Sequence, residues 1–146
     1  MIMIKIVVLA TGGFDPLHTG HIKLFKEAKK LGDFLMVGVN SDDWLTRKKG
    51  KPFMPITERK VIVGELRVVD NVLEFDDSDD SACDAIQHIL DISNWDVVFV
   101  NGGDRTKENI PELDRFLGHD RVNFAWGVGG TEKTNSSSWI LERWNE

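Results

Sequence analysis

Residues 4–21 read IKIVVLATGGFDPLHTGH, and this stretch decides the fold. The apolar run from Ile4 to Ala10 is short, continuous and rich in β-branched residues, which is typical of a parallel strand buried on both faces. A glycine-containing turn follows it, and a helical pattern begins at His21. A strand, a turn and a helix in this order predict the first unit of an α/β fold.

The rest of the chain continues this alternation. The pattern predicts further strands at 34–39, 72–75, 97–100 and 122–126, and helices at 21–31, 57–69, 85–92 and 111–117. Ser138 is predicted to cap a last helix that ends at Trp144, and residues 40–55 are predicted to form a polar loop. We therefore expect one α/β domain spanning residues 1–146, with a Rossmann-like open sheet of five parallel strands and helices on both faces.

Composition limits the classes of function. The chain has 146 residues, of which 41% are hydrophobic and 29% charged, as in a globular domain. Its net charge of −6 disfavours general nucleic-acid binding, and Cys83, the single cysteine, excludes an internal disulfide. No signal-peptide pattern and no apolar run long enough to span a bilayer is found, so we expect no membrane association and a cytoplasmic protein.

The turn after the first strand has the pattern of a phosphate site. Gly12 and Gly13, which follow Thr11, let the backbone approach an anion. The next helix points its N-terminus at the same place. His18 and His21 lie three residues apart, so both rings can face one side, where they can donate hydrogen bonds to phosphate oxygens that gain charge in a transition state. A protein-bound zinc ion would need a third ligand, and no matching His or Cys lies nearby, so we predict no metal site.

The stretch from Gly13 to His21, together with Gly12 before it, resembles the G-x-F-D-x-x-H-x-G-H signature of the cytidylyltransferase-like nucleotidyltransferases. The resemblance implies that His18 and His21 contact a nucleoside triphosphate and stabilise the transition state. It also implies nucleotide contacts around this turn, from Thr11, Gly12, Gly13, Phe14 and Gly20.

Weaker similarities cover most of the remaining chain. The stretch from Arg47 to Pro52 resembles the basic loop of the heptose adenylyltransferases, and the stretch from Asn101 to Asp104 resembles their K-G-G-D turn, with Asn101 in place of the lysine. Three serines resemble the S-T-T that starts a helix near the phosphates. These similarities imply nucleotide binding by Gly102, Gly103, Asp104, Ser136, Ser137 and Ser138. The family's arginine before the serines is missing, and Lys133 is a candidate replacement.

A dense basic stretch breaks the acidic trend, and it consists of Arg47, Lys48, Lys49, Lys51, Arg59 and Lys60. Such runs are usually solvated surface. This one follows the second strand, at the sheet edge where ligands bind. A triphosphate and a phosphorylated acceptor repel each other, so cations are needed there to hold them together. We therefore predict catalytic roles for Lys49 and Arg59. The acidic residues from Asp76 to Asp84 lack the calcium-loop pattern and are predicted to form a solvated loop.

The predicted activity is nucleotidyl transfer: a nucleoside monophosphate passes from ATP or CTP to the phosphate of a small sugar or alcohol, and pyrophosphate leaves. An acceptor phosphate is largely ionised at neutral pH, so the reaction needs no catalytic base. Mg²⁺ is expected to arrive with the triphosphate.

The overall resemblance favours sugar-phosphate adenylyltransferases, and the alternative is a glycerol-3-phosphate-type cytidylyltransferase. A non-catalytic nucleotide sensor is a more distant alternative, disfavoured because His18 and His21 are both present. The family is usually dimeric, and the stretch from Arg67 to Asp70 resembles its dimer-facing segment, so a homodimer is expected.

Overall fold

The computed structural model describes residues 5–102, 110–130 and 135–146. Strands and helices alternate along most of it. In chain order the elements are β1 (Ile6–Gly12), α1 (Thr19–Lys29), β2 (Phe34–Val39), α2 (Asp42–Lys49), α3 (Ile56–Gly64), β3 (Asn71–Glu74), α4 (Cys83–Ile92), β4 (Asp96–Gly102), α5 (Pro111–Phe116), β5 (Val122–Val128) and α6 (Ser137–Trp144).

The five strands form one sheet in the order β3-β2-β1-β4-β5, and every neighbouring pair is parallel. The predicted five-stranded parallel sheet is therefore confirmed. The chain builds outward from β1 to β3 and then crosses to the other side of β1 to place β4. The strand order thus reverses between β1 and β4, and ligands of open α/β sheets bind at the carboxyl ends of the strands at such a point.

Each face of the sheet buries its own core, which confirms helices on both faces. Val7 and Leu9 of β1 pack with residues of α4 and α5, while Val8 and Ala10 pack with residues of α1 and α3. Adjacent residues of one strand thus enter opposite cores. This is why the strand sequences are continuous apolar runs rather than alternating ones.

One predicted loop contains a helix. Residues 42–49 form α2, because Ser41 Oγ accepts a hydrogen bond from the backbone N–H of Trp44 at 3.0 Å and caps its first turn. Acidic residues lie in the first turn and basic residues in the last, which suits the helix dipole. Leu45 is the buried residue of this helix. One buried position gives no repeating hydrophobic pattern, so the sequence did not predict the helix.

Two helix ends also differ from the prediction. Ser136, not Ser138, caps α6, since Ser136 Oγ accepts from the backbone N–H of Trp139 at 3.0 Å. Ser138 lies inside the first turn. The helix predicted at 57–69 is present, but it ends at Gly64. Within the described ranges, no helix has the length and apolar character needed to cross a membrane.

Candidate active site

The two histidines of the motif cap the first helix. His18 is the N-cap residue of α1, and its Nδ1 accepts a hydrogen bond from the backbone N–H of Gly20 at 3.0 Å. In return, His21 Nδ1 accepts from the backbone N–H of His18 at 3.1 Å. This is a capping box in which imidazoles replace the usual hydroxyl and carboxylate. The two ring centroids lie 3.8 Å apart, with the ring planes inclined by 32°.

These hydrogen bonds also determine where the ring protons are. A ring nitrogen that accepts from an N–H carries no proton, so each ring is neutral and has its proton on Nε2. Burial lowers the pKa of His21 to about 3, and the neighbouring His18 adds to this effect. His21 is therefore a neutral donor at physiological pH. Two Nε2–H donors at a helix N-terminus suit phosphate oxygens that gain negative charge.

Phe14 lies behind His21 rather than at the surface. Its φ of +52° is in the left-handed region, which turns the ring inward, and the residue is only 3% exposed. The ring meets His21 edge to face, with centroids 4.9 Å apart, and packs in the same way on Phe25 at 5.3 Å. Phe14 therefore fixes the His21 ring.

Two of the predicted glycines are needed for close packing in the motif. A Cβ at Gly20 would lie 2.7 Å from His18 Cε1, so a side chain there would displace the catalytic candidate. A Cβ at Gly13 would lie 2.9 Å from Leu45 of α2. Thr11 and Gly12 end β1, and the carbonyl of Gly12 accepts from the backbone N–H of Asn40, which joins the turn to the end of β2.

Asp15 fastens a second segment to the motif. It is 1% exposed, and its carboxylate accepts hydrogen bonds from the backbone N–H groups of Phe53 and Met54 at 2.6 and 2.7 Å. Lys49 Nζ donates to the Asp15 carbonyl at 2.7 Å and lies 3.4 Å from its carboxylate. The predicted Lys49 is thus held against Asp15, which lies three residues before His18 in the motif. Asp15 belongs to the family signature, and its role in the structure is to hold the segment after α2 against the motif.

Arg59 is placed differently from Lys49. It is fully buried, and its guanidinium donates to the carbonyls of Met54, Gly13 and Asn40 at 2.7 to 3.0 Å. It also forms an ion pair with Asp42 at 2.6 Å. The structure therefore shows Arg59 connecting the motif, the end of β2 and the start of α2 through four hydrogen bonds to protein oxygens.

One residue of the acidic stretch corrects the prediction of a solvated loop. Asp77 is 4% exposed and accepts hydrogen bonds from the side-chain amide of Asn40 and from the backbone N–H and hydroxyl of Ser41, at 2.7 to 3.0 Å. It therefore orients the same β2–α2 connection that Arg59 binds. Its position just after β3, at the ligand-binding edge of the sheet, was the available signal.

The remaining predicted residues lie on two other segments. Gly102 ends β4, and a Cβ there would lie 3.2 Å from Leu24 of α1. Ser137 Oγ donates to the carbonyl of Pro16 at 2.7 Å, which brings the start of α6 against the motif. Gly103, Asp104 and Lys133 lie outside the described residues. In the described part of the chain, no three His, Cys, Asp or Glu side chains are grouped to hold a metal ion.

The fold and site together define a class: an open α/β protein with a candidate anion site at the strand reversal, formed by a glycine turn, a helix N-terminus and two imidazoles. The comparison with known families gives the particular one. The chain belongs to the cytidylyltransferase-like family, whose model matches residues 9–140.

Two curated relatives illustrate the family. Bifunctional protein HldE of Syntrophotalea carbinolica is 35% identical over 145 residues, which is 97% of this chain but 28% of that protein. The chain thus spans little more than a quarter of that relative. Glycerol-3-phosphate cytidylyltransferase of Bacillus subtilis is 38% identical over 97 residues, covering 66% of this chain and 70% of that enzyme. These relatives include both branches that the sequence suggested.

Solved structures agree on the fold. A lipopolysaccharide core biosynthesis protein of Thermoplasma volcanium superposes with a TM-score of 0.66 at 30% identity, covering 90% of this chain and 99% of that one. A nicotinate-nucleotide adenylyltransferase candidate of Vibrio parahaemolyticus superposes with a TM-score of 0.65 over 95% of this chain and 86% of that one. Its identity of 15% supports the fold alone.

Proposed function

We propose that the protein transfers a nucleoside monophosphate from the magnesium complex of a nucleoside triphosphate to the phosphate of a small phosphorylated sugar, with release of pyrophosphate. The observation that carries the proposal is the capping box, because it holds His18 and His21 as neighbouring Nε2–H donors at a helix N-terminus. Side chains fixed in this way lose little further freedom when the transition state forms.

In the proposed reaction, an ionised oxygen of the acceptor phosphate attacks the α-phosphorus of the triphosphate. A new P–O bond forms as the bond from the α-phosphorus to the oxygen bridging to the β-phosphorus breaks, and that oxygen leaves with pyrophosphate. No proton transfer is needed. His18 and His21 donate hydrogen bonds to the phosphate oxygens that gain charge, and Lys49 offsets the repulsion between the two substrates.

The preference for a sugar acceptor has two supports. The basic stretch from Arg47 to Pro52 and the stretch from Asn101 to Asp104 resemble the heptose adenylyltransferases, and the solved structure at 30% identity is described as a lipopolysaccharide core biosynthesis protein. Adenylyl transfer follows from the same resemblance, and cytidylyl transfer to an alcohol phosphate is the competing specificity.

The test is pyrophosphate release with ATP and with CTP, each against glycerol 3-phosphate and a panel of sugar phosphates. We expect turnover with one nucleotide and a sugar phosphate. His18→Ala should lower kcat about 10²- to 10³-fold, as loss of a single transition-state donor does. His88→Ala is the matched control, since His88 is an exposed histidine on α4. Tight nucleotide binding without turnover for any acceptor would favour the nucleotide sensor.

A further inference from the structure

A groove runs beside the motif, between the segment after α2 and the last helix. The segment after α2 is anchored by Asp15, through the backbone of Phe53 and through Lys49. Helix α6 is anchored on the next residue, since Ser137 donates to the carbonyl of Pro16. Both walls of the groove are thus attached to the residues just before His18. The groove is therefore held in a fixed position relative to the proposed reaction centre.

The groove contains two cavities of about 490 and 270 Å³, and Phe53, Leu141 and Trp144 line both of them. The larger is within the range of about 300–1,000 Å³ that small-molecule sites occupy. Phe53 and Trp144 are 56% and 83% exposed, although large aromatic side chains are usually covered. An apolar surface of this kind, directly beside a predicted active site, is expected to be covered by a ligand.

The distribution of charge along the groove indicates what that ligand is. Lys49 and Lys51 line the larger cavity, where their charges can complement a phosphate. Ser138, Glu142 and Asn145 add hydroxyl, carboxylate and amide groups that can hydrogen-bond to hydroxyls of a ligand. The aromatic residues offer flat faces, against which the C–H face of a sugar ring can pack. Glycerol 3-phosphate would satisfy the lysines, but it has no ring to cover Phe53 and Trp144.

We infer that this groove is the acceptor subsite and that it selects a phosphorylated cyclic sugar, whose phosphate lies towards Lys49 and Lys51 and whose ring packs on Trp144 and Phe53. The inference rests on the proposed function, because it identifies the acceptor of that reaction. It assigns a role to the C-terminal helix beyond the serines at its start, and it makes Trp144 and Phe53 the residues that determine specificity.

The experiment measures the KM of each substrate separately in Trp144→Ala and Phe53→Ala. The acceptors are glucose 1-phosphate, mannose 1-phosphate and glycerol 3-phosphate. Loss of one aromatic contact should raise the KM for the sugar phosphate about tenfold, with the nucleotide KM and kcat within about twofold. Trp144→Phe should restore much of the loss. Leu117→Ala is the control, because Leu117 is 76% exposed at the end of α5 and lies outside the groove.

Binding is measured independently of turnover, by saturation transfer from the protein to the ring protons of each sugar phosphate. A signal in the wild type that Trp144→Ala removes supports the subsite even if no turnover is found, in which case only the proposed reaction fails. Turnover in the wild type with unchanged acceptor KM in both variants overturns the subsite and leaves the reaction standing. Absence of ring-proton saturation in the wild type overturns the subsite as well.

A second copy of the chain is the competing occupant of the groove. The molar mass of wild type and Trp144→Ala is therefore measured by light scattering under the assay conditions. A lower mass for the variant, with unchanged acceptor KM, would show that another copy covers Trp144 and would overturn the inference. An unchanged mass with a raised sugar-phosphate KM supports it.

Discussion

At the scale of single residues, His21 makes the stability of the fold depend on pH. Its pKa falls from 6.5 to about 3 on folding, mainly because the ring is buried. Between these values the unfolded chain binds a proton that the folded protein does not, so the free energy of unfolding falls as the pH is lowered from 6.5 towards 3.

His21→Gln keeps an acceptor for the cap without a titrating ring. We expect a weaker pH dependence for this variant in urea unfolding at pH 7, 6, 5 and 4. Equal slopes for both proteins would contradict the buried neutral imidazole.

Arg59 allows a positioning role to be separated from substrate contact. Because Arg59 is fully buried and donates to three backbone carbonyls as well as to the half-exposed Asp42, Arg59→Ala should lower the free energy of unfolding by about 3–5 kcal/mol. Lys60→Ala, which removes the neighbouring exposed ion pair with Glu74, should change it by at most about 1 kcal/mol. The measurement is urea unfolding of both variants beside a turnover assay. An Arg59→Ala protein of normal stability that lacks activity would instead indicate direct substrate contact.

His21 and Arg59 also show how much of the site can be predicted from the sequence. The spacing of His18 and His21 is local, so the signature predicted that they share one side of the helix start. Arg59 and Lys60 are adjacent cations in one basic run, and their different burial arises from the face of α3, on which Arg59 and Val63 turn inward. The hydrogen-bond partners of Arg59 come from three separate segments, so no local sequence pattern predicts them.

At the scale of secondary-structure elements, strands were predictable and α2 was not. The central strands β1, β2 and β4 are apolar runs because they are buried on both faces, whereas α2 contributes Leu45 to the core and is fixed mainly by polar contacts. Capping by Ser41 and the acidic first turn were the local signals of this helix. Its position depends on Asp77, which lies more than thirty residues away in sequence.

Asp77 therefore provides a test of how α2 is held. Asp77→Asn keeps the shape of the side chain but leaves it with one acceptor oxygen in place of two for the bonds from Asn40 and Ser41. We expect a loss of about 1–3 kcal/mol in the free energy of unfolding. Amide hydrogen exchange in α2 should accelerate more than in α4. Asp80→Asn is the control, since Asp80 is largely exposed, and equal effects of both substitutions would refute the special role of Asp77.

At the scale of the whole molecule, the expected homodimer remains to be tested. The edge of the sheet at β3 is four residues long, and the neighbouring helix α3 exposes Val61 and Ile62, at 65% and 38%. The segment from Arg67 to Asp70, which resembles the dimer-facing part of the family, joins these two elements. Apolar side chains exposed beside an edge strand favour association of two copies through this side of the sheet.

Light scattering should therefore give a molar mass twice the 16.5 kDa of the chain. Val61→Asp should shift the protein towards the monomer, because association would bury the new charge without a partner. Leu117→Asp introduces the same charge at another exposed apolar position, at the end of α5, which connects β4 to the opposite edge strand β5, and should leave the mass unchanged. A monomeric wild type at every concentration would refute the dimer, and equal dissociation of both variants would place the interface elsewhere. Because Val61 lies on α3 and the proposed sugar groove on α6, dissociation by Val61→Asp should leave the sugar-phosphate KM unchanged.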